Sequence, residues 1–205
     1  MSDVVRLKIV LERTEPAIWR RVEVPAGITL KDLHDAIQAV MDWEDAHLYL
    51  YYIGRQTVGG PSLTDLTSRD GERAASAGRV RLSDLAARNV KRFQYVYDMG
   101  DSWEHDVKIE KVLPADPRQT YPRFIDGAGR CPPEDIGGFP GFYAFLEALE
   151  DPKNPEHAPL LEWHGGPFDP EAMDEDEIRE RLARIAASLK RKGDRPKPAG
   201  RARHR

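Results

Sequence analysis

The first 25 residues carry the pattern that most constrains the fold of this chain. Between Val5 and Leu11 apolar side chains alternate with more polar ones, which is the two-residue period of a strand with one buried face. A second alternating stretch runs from Ile18 to Val24. Because only a short turn around Pro16 separates the two stretches, we expect them to pair antiparallel. The chain therefore opens with a hairpin that needs an apolar layer on one side.

The next segment has the signature of an amphipathic helix. Thr29 and Asp32 have the spacing of a capping box, and the apolar stripe that follows them continues to Met41. The stretch from His47 to Ile53 is rich in Tyr and Leu and predicts a third strand. The order of elements is then ββαβ, which predicts a β-grasp-like opening.

A second hairpin is predicted in the middle of the chain. Residues 93–97 and 104–113 each have the composition of a strand. The turn between them, Asp98 to Asp101, contains Gly100, which is free to adopt a positive φ. We expect this hairpin, spanning residues 93–113, to extend the opening sheet.

The other segments predict long loops, with helices packed on the sheet. Three segments lack a regular apolar period and are expected to be loops: residues 54–79, 114–141 and 152–170. Apolar residues at helical spacing predict a short helix from Ser83 and two C-terminal helices, at 142–149 and 174–189. The fold class is therefore α+β, with a single domain over residues 1–189.

Composition excludes several classes of protein. The chain has 205 residues, of which 40% are hydrophobic and 32% charged, as in a soluble globular protein. No apolar run approaches the roughly 18–20 residues that span a bilayer, and the first residues lack the apolar core of a signal peptide. Cys131 is the only cysteine, which excludes an internal disulfide and a multi-cysteine zinc site. We expect a cytoplasmic protein without membrane partners.

The formal charge of −4 conceals an asymmetry between the body and the C-terminal tail. Residues 190–205 have a net charge of +7, which leaves −11 on residues 1–189. Like charges with Pro and Gly predict a disordered tail, although the same charges suit contacts with nucleic-acid phosphates or with the acidic body. The basic residues of this tail are Lys190, Arg191, Lys192, Arg195, Lys197, Arg201, Arg203 and Arg205.

Polar residues around the second hairpin and a later loop form the candidate site. We expect the loops to bring five side chains into one region as a ligand or metal surface: Asp98, Asp101, His105, Glu134 and Asp135. Carboxylates with one imidazole suit a divalent metal ion, which is the one cofactor that these residues indicate. The alternative is that they close turns and accept hydrogen bonds from nearby backbone amides.

A second group of residues is expected to be chiefly structural. Trp103 follows the hairpin turn and should anchor the sheet. Pro132 and Pro133 fix the backbone before the acidic pair, whereas Gly137 and Gly138 permit strained angles and close approach after it.

These segments together resemble the plasmid pRiA4b ORF-3-like family, whose members are also described as passenger proteins of IS1096-type mobile elements. The resemblance covers residues 4–185 and excludes the tail. Two positions depart from the family pattern: Met99 replaces a usual Phe, and Tyr49 stands where a second His often follows His47 and Leu48. The matching segments are Pro16–Val22, Val24–Pro25, Leu33–His34, Met41–Trp43, His47–Leu48, Tyr95–His105, Tyr121–Pro122, Gly127, Cys131–Gly138, Gly141–Phe142, Phe145–Leu146, Trp163 and Phe168–Pro170.

The resemblance implies an α+β fold and an association with plasmids and mobile elements, but no established reaction. The sequence contains no recombinase, Walker-type, dinucleotide-binding or HExxH zinc-protease pattern. The leading hypothesis is therefore a non-enzymatic binding or adaptor protein, whose partners are nucleic acid, through the tail, or a mobile-element protein. The alternative is a metal-dependent hydrolase or nuclease built on the Asp, His and Glu cluster.

Overall fold

The computed structural model describes residues 3–63 and 73–193, and it confirms the α+β class. The strands of the described residues are β1 (Asp3–Leu11), β2 (Trp19–Pro25), β3 (Tyr49–Ile53), β4 (Gln56–Gly59), β5 (Ala75–Ser76), β6 (Arg92–Tyr97), β7 (Trp103–Pro114) and β8 (Arg123–Ala128). They form one sheet in the order β5-β4-β3-β6-β7-β1-β2-β8.

Four of the five helices in the described residues lie where the apolar pattern predicts them, and one further helix lies in a segment expected to be a loop. They are α1 (Leu30–Met41), α2 (Leu82–Ala87), α3 (Gly138–Glu150), α4 (His157–His164) and α5 (Glu175–Gly193). The predicted cap of α1 is present, because the Asp32 amide donates to Thr29 Oγ1 at 3.1 Å. The cap of α5 is also present, because the Glu177 amide donates to Asp174 Oδ1 at 2.9 Å.

The two predicted hairpins are both present and lie side by side. β1 pairs antiparallel with β2, with Val5 opposite Val24. The β6–β7 hairpin occupies the middle of the sheet, because β6 also pairs with β3 and β7 also pairs with β1. As a result, the row of aromatic residues Tyr49, Tyr97 and Trp103 crosses three neighbouring strands.

A buried cation joins the opening hairpin to the rest of the domain. The side chain of Arg20 on β2 is only 2% exposed. Its Nε donates to the Val40 carbonyl at 2.7 Å, and Nη1 donates to the Trp19 and Ala128 carbonyls at 3.0 and 2.9 Å. Nη2 donates to the sulfur of Cys131 at 3.3 Å. This one guanidinium therefore ties β2, α1, β8 and the loop at Cys131 together.

Three segments expected to be loops contain regular structure. Residues 54–79 include β4 and β5, residues 114–141 include β8, and residues 152–170 include α4. β4 and β5 lie at or next to one edge of the sheet, and β8 forms the other edge. Short edge elements rich in Gly and polar residues lack the strong apolar alternation of central strands, so their composition resembles that of loops.

The last helix ends further along the chain than the apolar pattern predicts. α5 continues to Gly193, so Lys190, Arg191 and Lys192, which the sequence analysis assigns to the tail, are helical. Lys192 Nζ donates to Asp32 Oδ1 at 2.5 Å, which fixes the end of α5 against the start of α1. The predicted disorder of residues 194–205 lies outside the described residues. Within residues 3–63 and 73–193, no helix has the length and apolar character needed to cross a bilayer.

Candidate metal centre

The candidate site lies at the end of the sheet where β3 begins and β6 ends. The Asp98 amide donates to the Leu48 carbonyl at 2.9 Å, which holds the residue after β6 beside the residue before β3. Asp98 and Asp135 both adopt left-handed backbone conformations, with φ of 57° and 59°. Aspartate tolerates this region better than most residues.

Three side chains converge at this end of the sheet. His47 Nε2 lies 3.0 Å from Asp135 Oδ1 and 3.7 Å from Asp98 Oδ2. One potential ligand atom from each of the three residues lies within 4.8 Å of the other two. Asp98 is nearly buried, at 10% exposed, whereas His47 is 30% and Asp135 70% exposed. The cluster therefore opens to solvent on the Asp135 side.

Glu134 takes part in the framework of the site through hydrogen bonds to one of its carboxylate oxygens. Its Oε1 accepts a hydrogen bond from Tyr97 Oη at 2.7 Å and another from the Glu44 amide at 3.0 Å. Burial and the neighbouring Glu134 carboxylate raise the pKa of the Tyr97 hydroxyl, which therefore stays a donor. Tyr97 Oη also accepts from the Ala46 amide at 3.0 Å, which positions the residues just before His47.

The other acidic residue of the turn holds the following helix. Asp101 Oδ2 accepts from the Gly137 amide at 3.2 Å, immediately before α3. A Cβ atom on Gly138 would lie 2.6 Å from the Asp101 carbonyl oxygen, and its φ is 67°. Only glycine allows this approach of the loop to the hairpin turn. Asp101 therefore fixes the loop that carries Asp135.

Aromatic rings form the floor beneath the site. Trp103 is buried, its ring 6.0 Å from that of Trp43 and 5.0 Å from that of Phe139 on α3. Trp43 stacks on Tyr97 at 5.1 Å, and its Nε1 donates to the Pro132 carbonyl at 2.9 Å. The proline-containing loop is thus docked on the aromatic core through Trp43.

His105 lies in this core rather than on the surface. The sequence places it with the ligand-facing residues, but its ring is completely buried, 5.4 Å from Trp43 and 5.3 Å from Tyr95. Neither ring nitrogen has a well-directed hydrogen-bond partner among the described residues. Burial lowers the pKa of His105 to about 4, so the ring is neutral at physiological pH. His105 is buried because side chains alternate along a strand, and His105 lies on the same inward face of β7 as Trp103.

A second histidine cluster is closed by its own hydrogen bonds. His34 Nδ1 and Nε2 lie 2.7 Å from Tyr95 Oη and from Asp45 Oδ1, respectively. Gln38 Nε2 donates to Tyr95 Oη at 3.1 Å, and the Asp45 amide donates to Gln38 Oε1 at 3.0 Å. Because Tyr95 Oη accepts a hydrogen bond from Gln38, its own hydroxyl hydrogen is available to donate to His34 Nδ1. Nδ1 is then an acceptor, and the proton of the neutral imidazole lies on Nε2, which donates to Asp45. Although Asp35 completes a possible ligand set with His34 and Asp45, both imidazole nitrogens are already engaged.

The structure therefore unites four of the five predicted site residues and adds one. Asp98 and Asp135 face the same opening, Asp101 and Glu134 support it, and His105 lies below it. His47 is the residue that sequence reasoning missed. The signal was its place at the start of the predicted third strand, where it is the one ionisable imidazole in a segment of Leu, Tyr and Ile.

Fold and site together define an α+β protein with a histidine and two aspartates at one end of a mostly antiparallel sheet. The chain belongs to the plasmid pRiA4b ORF-3-like protein family, whose model matches residues 3–177. It is 40% identical over 197 residues to the uncharacterized protein y4hQ of Sinorhizobium fredii, covering 95% of this chain and 98% of that protein.

A solved relative has the same fold. The crystal structure of MM3350, a protein of unknown function from Methanosarcina mazei Go1, superposes with a TM-score of 0.77 and has 36% sequence identity. The match covers 86% of this chain and 97% of that chain.

Proposed function

We propose that this protein is a binding protein for a divalent metal ion, held by His47, Asp98 and Asp135. The observation that carries the proposal is the convergence of one imidazole nitrogen and two carboxylate oxygens from three separate segments. Each segment is positioned by contacts that do not use those ligand atoms. The Asp98 turn is fixed through its backbone, and the Asp135 loop is fixed through Glu134 and Trp43.

The surrounding charge favours a cation. Three further carboxylates belong to side chains that form hydrogen bonds at this end of the sheet: Asp45, Asp101 and Glu134. Carboxylates grouped in this way create a negative potential that raises the local concentration of cations. A cation that neutralises Asp98 and Asp135 would also relieve their mutual repulsion, which solvent only partly screens at nearly buried Asp98.

The donor set indicates which ions fit. One imidazole nitrogen with two carboxylate oxygens suits Zn²⁺ and Mn²⁺, whereas Mg²⁺ and Ca²⁺ prefer oxygen ligands alone. Three protein ligands leave coordination positions for water on the exposed Asp135 side.

Direct titration of the purified full chain tests the proposal. After treatment with EDTA and removal of the chelator, isothermal titration with Zn²⁺ and Mn²⁺ should show one site, and the melting temperature should rise with each ion. Asp98→Asn and Asp135→Asn should each weaken binding by roughly tenfold to a hundredfold. Both changes keep a residue that tolerates the left-handed backbone. In Asp98→Asn the side-chain amide oxygen can still accept from the Gly100 amide, as Asp98 Oδ1 does.

Asp101→Asn is the matched control, because it removes a charge from the same turn without touching the three ligands. Its side-chain oxygen can still accept from the Gly137 amide. Binding should fall much less than in Asp98→Asn. The proposal is wrong if neither ion binds, or if Asp98→Asn and Asp135→Asn bind as tightly as the wild type.

A second candidate function is metal-dependent hydrolysis. The observation that favours it is a cavity of about 410 Å³ beside the cluster, lined by His47, His34 and Tyr49 among others. A divalent ion held by His47, Asp98 and Asp135 would supply the Lewis acid that activates water for hydrolysis of a phosphodiester. Hydrolysis of bis(p-nitrophenyl) phosphate with Mn²⁺, abolished in Asp98→Asn, would support this candidate; metal binding without turnover would support binding alone.

A nucleic-acid role rests on the charge of the tail and on the family's association with mobile elements. Within the described part of the tail, Lys192 is already paired with Asp32, whereas Lys190 and Arg191 remain exposed. Truncation after Lys192 removes five of the eight basic residues of the tail, so it should strongly weaken DNA or RNA binding and reduce the dependence of that binding on salt. Equal binding by the truncated chain would remove the tail from this role.

A further inference from the structure

A groove that contains none of the three proposed metal ligands lies between α3 and the loop that joins β1 to β2. It encloses a cavity of about 450 Å³. The side chains of Ile18, Phe142 and Leu146 form an apolar floor, and Pro16 and Pro170 lie at its edges. A cavity of this size falls within the range of binding pockets for small ligands or peptide side chains.

The walls of the groove are held together by hydrogen bonds. Tyr143 Oη on α3 accepts from the Glu15 amide at 2.9 Å and donates to the Arg13 carbonyl at 3.0 Å. On the other side, the Arg130 amide donates to the Pro170 carbonyl at 2.8 Å. The groove is therefore preformed, and a ligand would not have to separate these segments to enter it.

Four glutamates surround this apolar floor. They are Glu15, Glu147, Glu150 and Glu171, and all four are exposed. None of them forms a salt bridge with a cationic side chain in the part of the chain that the structure describes, although many other carboxylates of the protein do. The groove thus combines an apolar surface with unneutralised negative charge.

The helix dipole makes this arrangement unfavourable for the isolated protein. Glu147 and Glu150 lie in the last turn of α3, which contains no basic residue. The C-terminal end of a helix carries partial negative charge, so carboxylates there are destabilising and cations are stabilising. The two side chains also repel each other at a spacing of three residues. A cation supplied by a partner would remove both penalties.

We propose that this groove docks a basic segment of another protein, with one apolar side chain on the floor and lysine or arginine side chains on the glutamates. Charge complementarity selects this occupant, because an acidic or neutral apolar segment would leave the four carboxylates unpaired. The basic tail of this chain is a poorer candidate, since residues 194–205 contain no large apolar side chain to fill the cavity. The groove is separate from the metal ligands, so it does not depend on the proposed metal function.

Fluorescence anisotropy with three labelled peptides tests the proposal on the full chain. The probe has a leucine flanked by two lysines on each side; the second peptide replaces leucine with glycine, and the third replaces the lysines with glutamates. The probe should bind, the glycine peptide should bind at least several-fold more weakly, and the acidic peptide should not bind. Affinity for the probe should fall as salt is added. In amide NMR spectra the probe should shift the resonances of Leu146, Glu147 and Glu150.

The double variant Glu147→Lys/Glu150→Lys should weaken binding of the probe by roughly tenfold or more, because two attractive contacts become repulsive. Both changes place a cation at the end of α3, so the variant should fold at least as well as the wild type. Glu162→Lys, on the exposed side of α4, is the matched control and should bind normally. Equal affinity of the double variant and the wild type, shifts that map elsewhere, or no binding of the probe would overturn the proposal. So would tighter probe binding after removal of residues 194–205, since the tail would then be the occupant.

Discussion

Neutral His105 in the aromatic core should make the stability of this protein depend on pH. The informative perturbation is His105→Phe, which keeps an aromatic ring beside Trp43 and Tyr95 but removes the titratable nitrogens. A change in packing would alter stability equally at every pH. If the difference in free energy of unfolding between the two proteins varies with pH, that variation therefore comes from His105, which binds a proton less readily in the folded protein than in the unfolded chain.

The sign follows from the lowered pKa of His105. In the unfolded chain the imidazole binds a proton below about pH 6.5, whereas in the folded protein its pKa is about 4. Between these values the unfolded state holds more protons, so stability falls as the pH falls. Below the folded pKa both states are protonated, and this contribution no longer changes.

The magnitude follows from the same two values. A shift of one pKa unit corresponds to about 1.4 kcal/mol, so the full effect of His105 is roughly 3 kcal/mol. Between pH 7 and pH 5 the wild type should lose about 2 kcal/mol more than His105→Phe. This range lies above the pH at which most carboxylates titrate. His34, whose pKa burial also lowers, contributes to both proteins and cancels in the comparison.

Urea denaturation at pH 5, 6 and 7 measures this difference, with the free energy of unfolding extrapolated to water for each protein. His157→Gln is a suitable control, because His157 is only partly buried at the start of α4 and bonds to the Ala148 carbonyl. It should retain the pH dependence of the wild type. If the difference between wild type and His105→Phe stays within about 0.5 kcal/mol from pH 7 to pH 5, smaller than the expected effect, then His105 is not held neutral by burial.

Three further predictions concern the framework of the site and the core. Glu134→Gln should cost about 1 kcal/mol in thermal or urea unfolding, because charged hydrogen bonds from Tyr97 and Glu44 become neutral ones, whereas Asp135→Asn should change stability by less than about 0.5 kcal/mol. Gly138→Ala should destabilise the protein by roughly 2 kcal/mol or more through its positive φ and the contact with the hairpin turn, and far-UV circular dichroism during heating measures it. Arg20→Lys should cost about 3 kcal/mol in urea unfolding, because one ammonium cannot reach the three carbonyls that the guanidinium bridges.

Central elements of the fold could be predicted from the sequence because each one buries a regular stripe. The alternation from Val5 to Leu11 identified the strand that pairs on both sides, and Thr29 with Asp32 identified the start of α1. Edge elements could not be predicted in the same way. β8 contains Asp126 and Gly127, and its pairing with β2 depends on a neighbour that is remote in sequence. Local composition carries little information about such pairing.

The candidate site was only partly predictable for a different reason. The two-residue period of a strand puts Trp103 and His105 on one face of β7, but the period alone cannot say whether that face is the core or the solvent. The distinction between Glu134 and Asp135 was also inaccessible, because it depends on Tyr97 and Glu44 reaching one carboxylate and not the other. Such partners are set by tertiary packing.

The position of His47, two residues before β3, depends on the aromatic core as well as on that strand. Tyr97 Oη accepts from the Ala46 amide and donates to Glu134, so one hydroxyl positions both the segment before His47 and the loop that carries Asp135. The Tyr97 ring is in turn stacked on Trp43, which holds the Pro132 carbonyl. Loss of the Tyr97 hydroxyl would therefore remove a contact that positions both His47 and Asp135, although none of the three proposed ligands would be changed. For that reason weaker metal binding in Tyr97→Phe, with the three ligands intact, would indicate that the core preorganises this centre rather than merely lying beneath it.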